Sequence, residues 1–325
     1  MATIKDIAEK VGVNITTVSR VLNNRGYISD TLKQAVQNAM KELNYQPNEI
    51  ARSLTRRKSN IIGLIIPTVS HLFFGEIASY IEYYAYEHGY KILLCNSQRD
   101  KQKEQEYVDM LKASQVDGII MGSQTMDVQE FEKIYLPLVS IDRRISEEIP
   151  YVCSDNYNGG KLATDLLISK GCRKIAHISG NLSLNLLANS RYEAFLDTAK
   201  KHNVWNTTVQ NSINGLDFLQ YTKVVSELFE KHPDLDGIFA SNDVLAAFVI
   251  KACVKMGKRV PEDVKVVGYD GTFIGSFMPQ EITTIRQPIE EMAKLAVELI
   301  IKQIQGVKVD IDNILPVKLL EKGTT

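Results

Sequence analysis

The sequence has little of what membrane, exported or metal-dependent proteins need. No apolar run approaches the roughly 18 to 20 residues of a membrane helix, and 24% of the 325 residues are charged, so we expect a soluble protein. The N-terminus has no basic segment followed by an apolar stretch, which favours a cytoplasmic location. The four cysteines lie far apart without a C-x-x-C pair, which predicts reduced thiols, no disulfide framework and no metal site.

The sequence also lacks the short motifs of common enzyme classes. It has no G-x-x-x-x-G-K-[ST] phosphate loop, no G-x-G-x-x-G after a predicted strand, no G-x-S-x-G and no H-E-x-x-H. The five histidines are scattered, and none has an evident partner for acid–base catalysis. We therefore predict a protein that is not an enzyme and needs no cofactor.

The near-zero net charge conceals an uneven distribution. Residues 1–58 hold ten Lys and Arg against five Asp and Glu, whereas the remainder holds 28 basic and 34 acidic residues. A small basic head therefore precedes a larger acidic body. Such a head is typical of proteins that bind a polyanion, because Lys and Arg release the counterions condensed on phosphates. A solvated basic surface is the alternative reading of the charge alone.

The head has residues that typically begin and end short helices. Residues that cap or end helices occur at regular places: Thr3 with Asp6, Gly12, Asn14, and Ser29 or Asp30. Apolar residues at helical spacing lie between them, with a second helix from about Ile15 to Leu22 and a third up to Leu43. Helices joined by a tight glycine turn predict a helix-turn-helix.

The start of the second helix would then enter the major groove of DNA. Its exposed residues are Ile15, Thr16, Thr17 and Arg20. Arg20 can make a bidentate contact to guanine, whereas Ile15 and the Thr16 methyl group can touch a thymine methyl. A small helical bundle with a surface arginine is the alternative, and the charge excess favours DNA binding.

A set of motifs gives the chain a family resemblance. The head carries Thr3–Ala8, Gly12–Val13, Thr17–Asn23, Tyr45–Asn48 and Ala51–Leu54. The body continues with Val116–Ile120, Ser241–Asp243, Val260–Val264, Val267–Asp270 and Thr284–Pro288. Together these resemble the lactose-repressor family over essentially the whole chain. The runs Gln115–Ser123, Ser154–Tyr157 and Gly268–Thr272 are most similar to its sucrose operon repressor branch.

The resemblance implies a helix-turn-helix domain at 1–46 and a hinge helix and linker at 47–59. The hinge helix of the family inserts a leucine into the minor groove, and by position that leucine is Leu54. Without the resemblance, Leu54 would more often be ordinary packing. The DNA contacts expected in all are Thr3, Ile15, Thr16, Thr17, Arg20, Asn23, Tyr45, Asn48, Ala51, Arg52 and Leu54.

From Asn60 onward, apolar strand-length runs alternate with helical patterns. The predicted strands are 61–67, 91–95, 118–121, 138–141, 174–179, 237–240 and 264–268, and the predicted helices are 74–88, 103–114, 191–202, 221–231 and 244–256. This alternation predicts doubly wound parallel sheets. The resemblance implies a core of two lobes like a periplasmic binding protein, at about 60–156 with 288–311 and about 157–287 with 312–325. The chain would cross between them near Asn156, Gln287 and Asp312.

Ligands of such sheets bind beyond the carboxyl ends of the strands. Polar and aromatic residues at those ends suit the hydroxyls and the apolar face of a sugar. The expected effector contacts are Phe73, Phe74, Asn96, Ser123, Asp142, Arg143, Asn181, Arg191, Asn242 and Asp270. Asn242 has an alternative role, since it can simply cap the next helix.

The resemblance implies a dimeric repressor that a sugar releases from a palindromic operator. The ligand stays open among sucrose, fructose and their phosphates, because the tandem Arg143-Arg144 suits a phosphate and the leucines of 180–190 suit either a lid over a sugar or core packing. A corepressor or a phosphorylated carrier protein that tightens DNA binding is the alternative within the family. A sugar-binding protein without a DNA role is a distant one, because the basic head argues against it.

Overall fold

The computed structural model describes residues 2–23, 25–46, 58–122, 125, 134–184, 186–210 and 218–325, with the backbone alone at 218–220. The chain divides into two compact units, Met1–Ser59 and Asn60–Thr325. The expected boundary between linker and core lies at the same place. Within the described ranges, no helix is long and apolar enough to cross a membrane.

The first unit contains helices α1 (Ile4–Val11), α2 (Ile15–Leu22) and α3 (Asp30–Glu42). The predicted caps of these helices are confirmed. Asp6 accepts a 2.7 Å hydrogen bond from the Thr3 backbone N–H while the Thr3 hydroxyl accepts from Asp6 N–H, which is a capping box. Gly12 ends α1 at a φ of 74°, and Asn14 caps α2. Ser29, rather than Asp30, caps α3.

Apolar residues at helical spacing hold the three helices together. Ile7 and Ala8 of α1, Val18 of α2, and Val36 and Ala39 of α3 are buried in one cluster. Each helix is too short to persist alone in water, so the shared cluster stabilises all of them. The hinge segment, including Leu54 and the expected contacts Asn48, Ala51 and Arg52, lies outside the described residues.

The first lobe of the second unit is built on a parallel sheet in the order β11-β5-β4-β3-β1-β2. Its strands are β1 (Ile61–Ile66), β2 (Lys91–Asn96), β3 (Gly118–Met121), β4 (Leu138–Ile141), β5 (Tyr151–Ser154) and β11 (Asp312–Leu315). Helices α4 (Leu72–Glu87) and α11 (Ile289–Ile304) pack together over one face, and α5 (Lys101–Ala113) covers the other. Both faces are therefore apolar, as continuous runs such as Ile61–Ile66 predict.

The second lobe has the matching sheet order β12-β10-β9-β8-β6-β7, in which β12 alone is antiparallel to its neighbour. Its strands are β6 (Lys174–Ser179), β7 (Trp205–Gln210), β8 (Gly237–Ala240), β9 (Lys265–Asp270), β10 (Thr283–Arg286) and β12 (Lys318–Leu320). The helices are α6 (Asn156–Ser169), α7 (Ser190–Lys201), α8 (Phe218–Lys231), α9 (Asp243–Lys255) and α10 (Ile274–Phe277). Buried clusters lie beneath α6 with α7 and beneath α8 with α9.

The described chain crosses between the lobes after β5, after β10 and after β11. The crossings expected near Asn156 and Gln287 lie at those residues. The third was expected near Asp312, and that position is wrong, because β11 pairs with β5 over Asp312–Leu315 and still belongs to the first lobe. The chain enters the second lobe only between Leu315 and Lys318. The short run Asp312–Leu315 alternates exposed and half-buried residues, so its sequence gave no sign of a buried strand.

Several elements extend or add to the predicted ones. The described strands and helices agree with the predicted bounds to within three residues where both exist, and α4 begins two residues early, at Leu72. The strands β5, β7, β10, β11 and β12 and the helices α6, α10 and α11 were not predicted. The four cysteines are buried free thiols. Burial raises the pKa of Cys153 and Cys172 to about 12, which keeps these thiols unreactive.

Candidate functional site

A cavity of about 160 Å³ lies between the lobes at the carboxyl ends of strands from both sheets. Most of the expected effector contacts line it, namely Phe73, Phe74, Asp142, Asn181, Arg191, Asn242 and Asp270. These residues come from six separate places along the chain, and the parallel strands bring them to one edge.

Two of the expected contacts do not line the cavity. Arg143 follows Asp142, where the backbone has left the extended conformation of β4. Asp142 has a φ of 56° that turns its carboxylate into the cleft, and Arg143 is buried elsewhere. Asn96 ends the edge strand β2 and also lies away from the cavity. The expected contact Ser123 lies outside the described residues.

One amide side chain joins the charged groups of the two lobes. Asn156, at the first crossing, accepts a 2.7 Å hydrogen bond from Arg191 Nε through its Oδ1. Its Nδ2 donates to Asp142 Oδ1 at 3.2 Å and to the Ser154 carbonyl at 3.1 Å. Arg191 Nη1 also donates to the Ser241 carbonyl at 3.1 Å. The Asp142 carboxylate of the first lobe and the Arg191 guanidinium of the second are thus both hydrogen-bonded to one side chain.

A second amide bridges the lobes at the other crossing. Gln287 Nε2 donates to Asp270 Oδ1 at 2.7 Å, and Gln287 Oε1 accepts from the Ser154 hydroxyl at 2.7 Å. Asp270 ends β9 with a φ of 100°, a left-handed conformation that side chains rarely adopt. Strain of this kind is found where a side chain must be aimed at a ligand.

The buried carboxyl groups of the cavity lie near a guanidinium group of opposite charge. Burial raises the pKa of Asp142, and the Arg191 guanidinium opposes that rise. Burial also raises the pKa of Asp270 well above its usual value, again against the effect of Arg191. The Arg191 guanidinium lies 3.6 Å from the centre of the Tyr269 ring. Arg99 also lines the cavity, so two carboxyl groups face two guanidinium groups.

Aromatic rings form one wall of the cavity. Phe73 and Phe74 meet edge to face with their centroids 5.1 Å apart, and the His71 ring meets Phe74 in the same way at 5.6 Å. Ring faces of this kind pack against the C–H side of a sugar ring, while neighbouring amides and acids bind its hydroxyls.

The leucine-rich loop before α7 also belongs to the wall. Leu182, Leu184 and Leu186 line the cavity, which favours the reading that this loop closes over a ligand. Asn189 fixes the loop, because its Nδ2 donates to the Leu182 carbonyl at 3.3 Å and to the Leu184 carbonyl at 2.7 Å.

The sequence reasoning missed several lining residues, chiefly His71, Arg99, His177, Tyr221 and Gln287. Burial lowers the pKa of His71 and of His177 to about 4, so both rings are neutral near pH 7. His177 lies inside the strand β6, where nothing in the sequence sets it apart. Gln287 had a usable signal, since it stands at a crossing that opens onto the cavity.

Asn242 has both of the roles that its sequence allowed. Its Oδ1 accepts a 2.8 Å hydrogen bond from Leu245 N–H and caps α9, and the residue also lines the cavity. The neighbouring Asp243 points away from the cavity and accepts hydrogen bonds from Thr272 and Thr284. It thereby fixes the turn that follows Asp270.

The expected DNA contacts that the structure describes lie in the first unit. Ile15, Thr16 and Arg20 are exposed along α2, and Thr17 is half-buried there. Arg20 Nε donates a long hydrogen bond, 3.4 Å, to the Arg25 carbonyl. The remaining described ones also have structural roles: Thr3 caps α1, Asn23 Nδ2 donates to the Ser19 carbonyl, and Tyr45 packs against the helical cluster. This exposed face can enter a DNA groove.

Comparisons with known protein families match both units. Residues 3–48 match the model of bacterial regulatory proteins of the lacI family, and residues 164–325 match a periplasmic binding protein-like domain.

Curated relatives cover the full chain. The chain is 42% identical over 326 residues to the ribose operon repressor of Halalkalibacterium halodurans, covering 100% of this chain and 97% of that protein. It is 39% identical to the sucrose operon repressor of Streptococcus mutans, covering 98% of each. A solved structure is also similar, that of a periplasmic binding protein/LacI transcriptional regulator from Alkaliphilus metalliredigens complexed with D-xylulofuranose. It is 38% identical, with a TM-score of 0.75 over 82% of this chain and 99% of that one.

Proposed function

Because the chain belongs to the lacI family of bacterial regulatory proteins, it is a DNA-binding repressor of a sugar operon and not an enzyme, and we propose that a small neutral sugar releases it from a palindromic operator. The observation that carries the proposal is the cavity between the lobes, lined by aromatic rings, amides, two carboxyl groups and two guanidinium groups. A repressor of this kind acts in the compartment that holds the chromosome, which supports the expected cytoplasmic location.

The size of the cavity favours a monosaccharide. One water molecule needs roughly 10 to 15 Å³ of such volume, so about 160 Å³ accommodates roughly 11 to 16 atoms of similar size. A pentose has about 10 non-hydrogen atoms and sucrose about 23. The relatives are named for ribose and for sucrose, and the similar solved structure holds a five-membered sugar ring. A pentose or ketose in its furanose form is thus our first choice, fructose included, with sucrose as the second.

The charges of the site favour a sugar without phosphate. The tandem arginines that suggested a phosphate do not face the cavity: Arg143 is buried elsewhere, and Arg144 pairs with Glu147 at 2.7 Å and Asp312 at 3.9 Å. Arg99 and Arg191 do line the cavity, but Asp142 and Asp270 lie in the same wall. A phosphate dianion placed there would meet two carboxyl groups, whereas the hydroxyls of a neutral sugar match both donors and acceptors.

The operator is read by two copies of the head. Two chains that pair place two α2 helices about one turn of DNA apart, so the operator is a near palindrome. Arg20 is the long donor exposed on α2 and reads guanine there. Leu54 of the hinge enters the minor groove and bends the duplex, as the resemblance implies.

Release follows from a difference in affinity between two conformations. Sugar bound between the lobes favours the arrangement in which the heads are less well placed for the operator. By thermodynamic linkage, operator DNA must weaken sugar binding by the same factor. A corepressor or a phosphorylated carrier protein would have the opposite effect on operator affinity, because it would tighten operator binding.

Fluorescence anisotropy of the full chain on a labelled palindromic operator with a central CG step tests the proposal. At fixed salt, the complex is titrated with D-ribose, D-xylulose, D-fructose, sucrose and the phosphates of these sugars. We expect a neutral monosaccharide to weaken operator binding by about tenfold or more, within the usual range of allosteric coupling. Asp270→Asn should bind the operator as before and fail to respond.

Two outcomes would overturn parts of this proposal. Release only by phosphorylated sugars would refute the neutral effector. Tightening of operator binding by any of them would replace an inducer with a corepressor.

A further inference from the structure

We infer that Asn156 is a positioning residue of the effector site. Its single amide holds the Asp142 carboxylate of one lobe and the Arg191 guanidinium of the other in their binding geometry. The inference rests on the proposed function and deepens it. Asn156 is 4% exposed and does not itself line the cavity, so it acts through its neighbours rather than on the ligand.

The two ends of the amide are used for different tasks. Oδ1 accepts from Arg191 Nε at 2.7 Å, and Nδ2 donates to Asp142 Oδ1 at 3.2 Å. Of the side chains of this size, an amide is the one that offers an acceptor and a donor at pH 7. An aspartate would accept from Arg191 but repel Asp142, and a leucine would serve neither.

The position of Asn156 in the chain makes its hydrogen bonds sensitive to movement of one lobe against the other. It is the first residue of α6, directly after the crossing that follows β5. Asp142 follows β4 of the first lobe, and Arg191 lies in the first turn of α7 in the second lobe. Any rotation of one lobe against the other must change the distance from Asn156 to at least one of these groups. The amide therefore couples the assembly of the binding site to the angle between the lobes.

The titratable groups around the amide are few, most of them are buried, and Asp155 is half-buried. They are Asp142 from β4, Arg191 from α7, and Tyr269 and Asp270 from β9, with Asp155 as the cap of α6. Burial raises the pKa of Tyr269 to about 12, so the phenol stays neutral over the range tested below. A carboxylate placed at 156 would contact Arg191 through one oxygen and Asp142 through the other, and the two carboxyl groups would share a proton as the pH falls.

The inference is tested by calorimetry on three variants of the full chain at pH 7.5 and pH 5.5, with whichever of D-ribose, D-xylulose, D-fructose and sucrose binds the unmodified protein. At pH 7.5, both Asn156→Asp and Asn156→Leu should bind the sugar about tenfold or more weakly than the unmodified protein. At pH 5.5, Asn156→Asp alone should recover, since a protonated carboxyl donates to Asp142 and accepts from Arg191 as the amide does. Asn158→Asp is the matched control, because it makes the same change in the same turn of α6 at a side chain with neither contact.

The outcomes separate this inference from the proposed function. If the unmodified protein binds the sugar and Asn156→Asp binds it equally well at pH 7.5, the inference is wrong and the function stands. Equal recovery of Asn156→Leu at pH 5.5 would also overturn it, since leucine has no proton to gain.

A measurement without any sugar tests the inference even if none of the sugars binds and the proposed effector is wrong. Urea unfolding of Asn156→Asp should then show a loss of stability, relative to Asn158→Asp, that is larger at pH 7.5 than at pH 5.5. The sign follows because a paired carboxyl with a raised folded-state pKa destabilises the fold when the pH rises through that pKa. A loss no larger than that of the control at either pH would overturn the inference.

Discussion

The head and the effector cavity differ in how far apart in the chain their determinants lie. In the head, each helix boundary is set by a residue within three positions of it, as with Thr3 and Asp6 or Asn14 and Thr17. In the cavity, the residues that meet were drawn from His71 to Gln287. The head can therefore be interpreted from short windows of sequence, whereas the cavity exists only once both sheets are formed.

The two regions also use charge differently. Arg20 of the head is exposed and its guanidinium is available to a partner outside the chain. Arg191 of the core is 7% exposed and its guanidinium is used within the chain, by Asn156, Ser241 and the buried carboxyl groups. Replacing an arginine should thus remove binding specificity in one unit and folding stability in the other.

Arg191→Leu should have the largest effect. It removes the cation whose charge opposes the burial of Asp142 and Asp270, and leaving a buried charge uncompensated costs about 3 to 5 kcal/mol. Urea unfolding should show this loss in the transition of the core at pH 7.5, and sugar binding should be lost. The loss should shrink as the pH falls, because burial raises the pKa of both carboxyl groups and their protonation removes the charge that Arg191 no longer opposes. A pH-independent loss would show that Arg191 acts by packing alone.

Ile7→Ala should have the next largest effect, and on the other unit. Ile7 is fully buried in the helical cluster of the head, and removing its side chain should cost about 3 kcal/mol of the head's stability. We expect loss of operator binding with unchanged sugar affinity, measured by anisotropy and calorimetry. Ile7→Val, which removes one methyl group, should retain most of the operator binding. Impaired sugar binding by Ile7→Ala in the absence of DNA would show that the core depends on the folding of the head.

Arg20→Ala should have the smallest effect, confined to recognition. Discrimination between the operator and a site with the contacted guanine replaced should fall by about 1 to 3 kcal/mol, without a change in unfolding. Arg25→Ala removes the same charge from an exposed position of the head and should weaken both sites about equally. If both variants weaken both sites alike, Arg20 contacts phosphate rather than a base.

Much of the fold could be predicted because its signals are short. The apolar run Ile61–Ile66 reads as a buried strand, and Gly12 and Asn14 mark a turn between helices. The strand β11 was missed because it joins the sheet of the first lobe from far along the chain, at Asp312–Leu315, and none of its residues is fully buried. Its membership depends on a partner strand that lies about 160 positions earlier, which no local pattern records.

The cavity was predictable in part for the same reason. Asp142, Asn242 and Asp270 stand at the ends of strands that can be recognised, and the parallel arrangement brings such ends together. Arg143 was predicted together with Asp142 because adjacent residues have nearly the same sequence context, but of the two only Asp142 lines the cavity. Asn156 could not be assigned, because its role depends on groups that two different lobes supply.

The interleaving of the two lobes has a consequence for how the protein is made. The sheet of the first lobe begins at Ile61 but is complete only with β11, and α11 at Ile289–Ile304 covers one of its faces. On a ribosome the helical head can fold soon after it emerges, since residues 2–46 contain its whole cluster. The first lobe must instead wait, with one apolar face covered by α4 alone, until almost the entire chain has been translated. The early part of each new core is therefore the stage most exposed to aggregation and most in need of a chaperone.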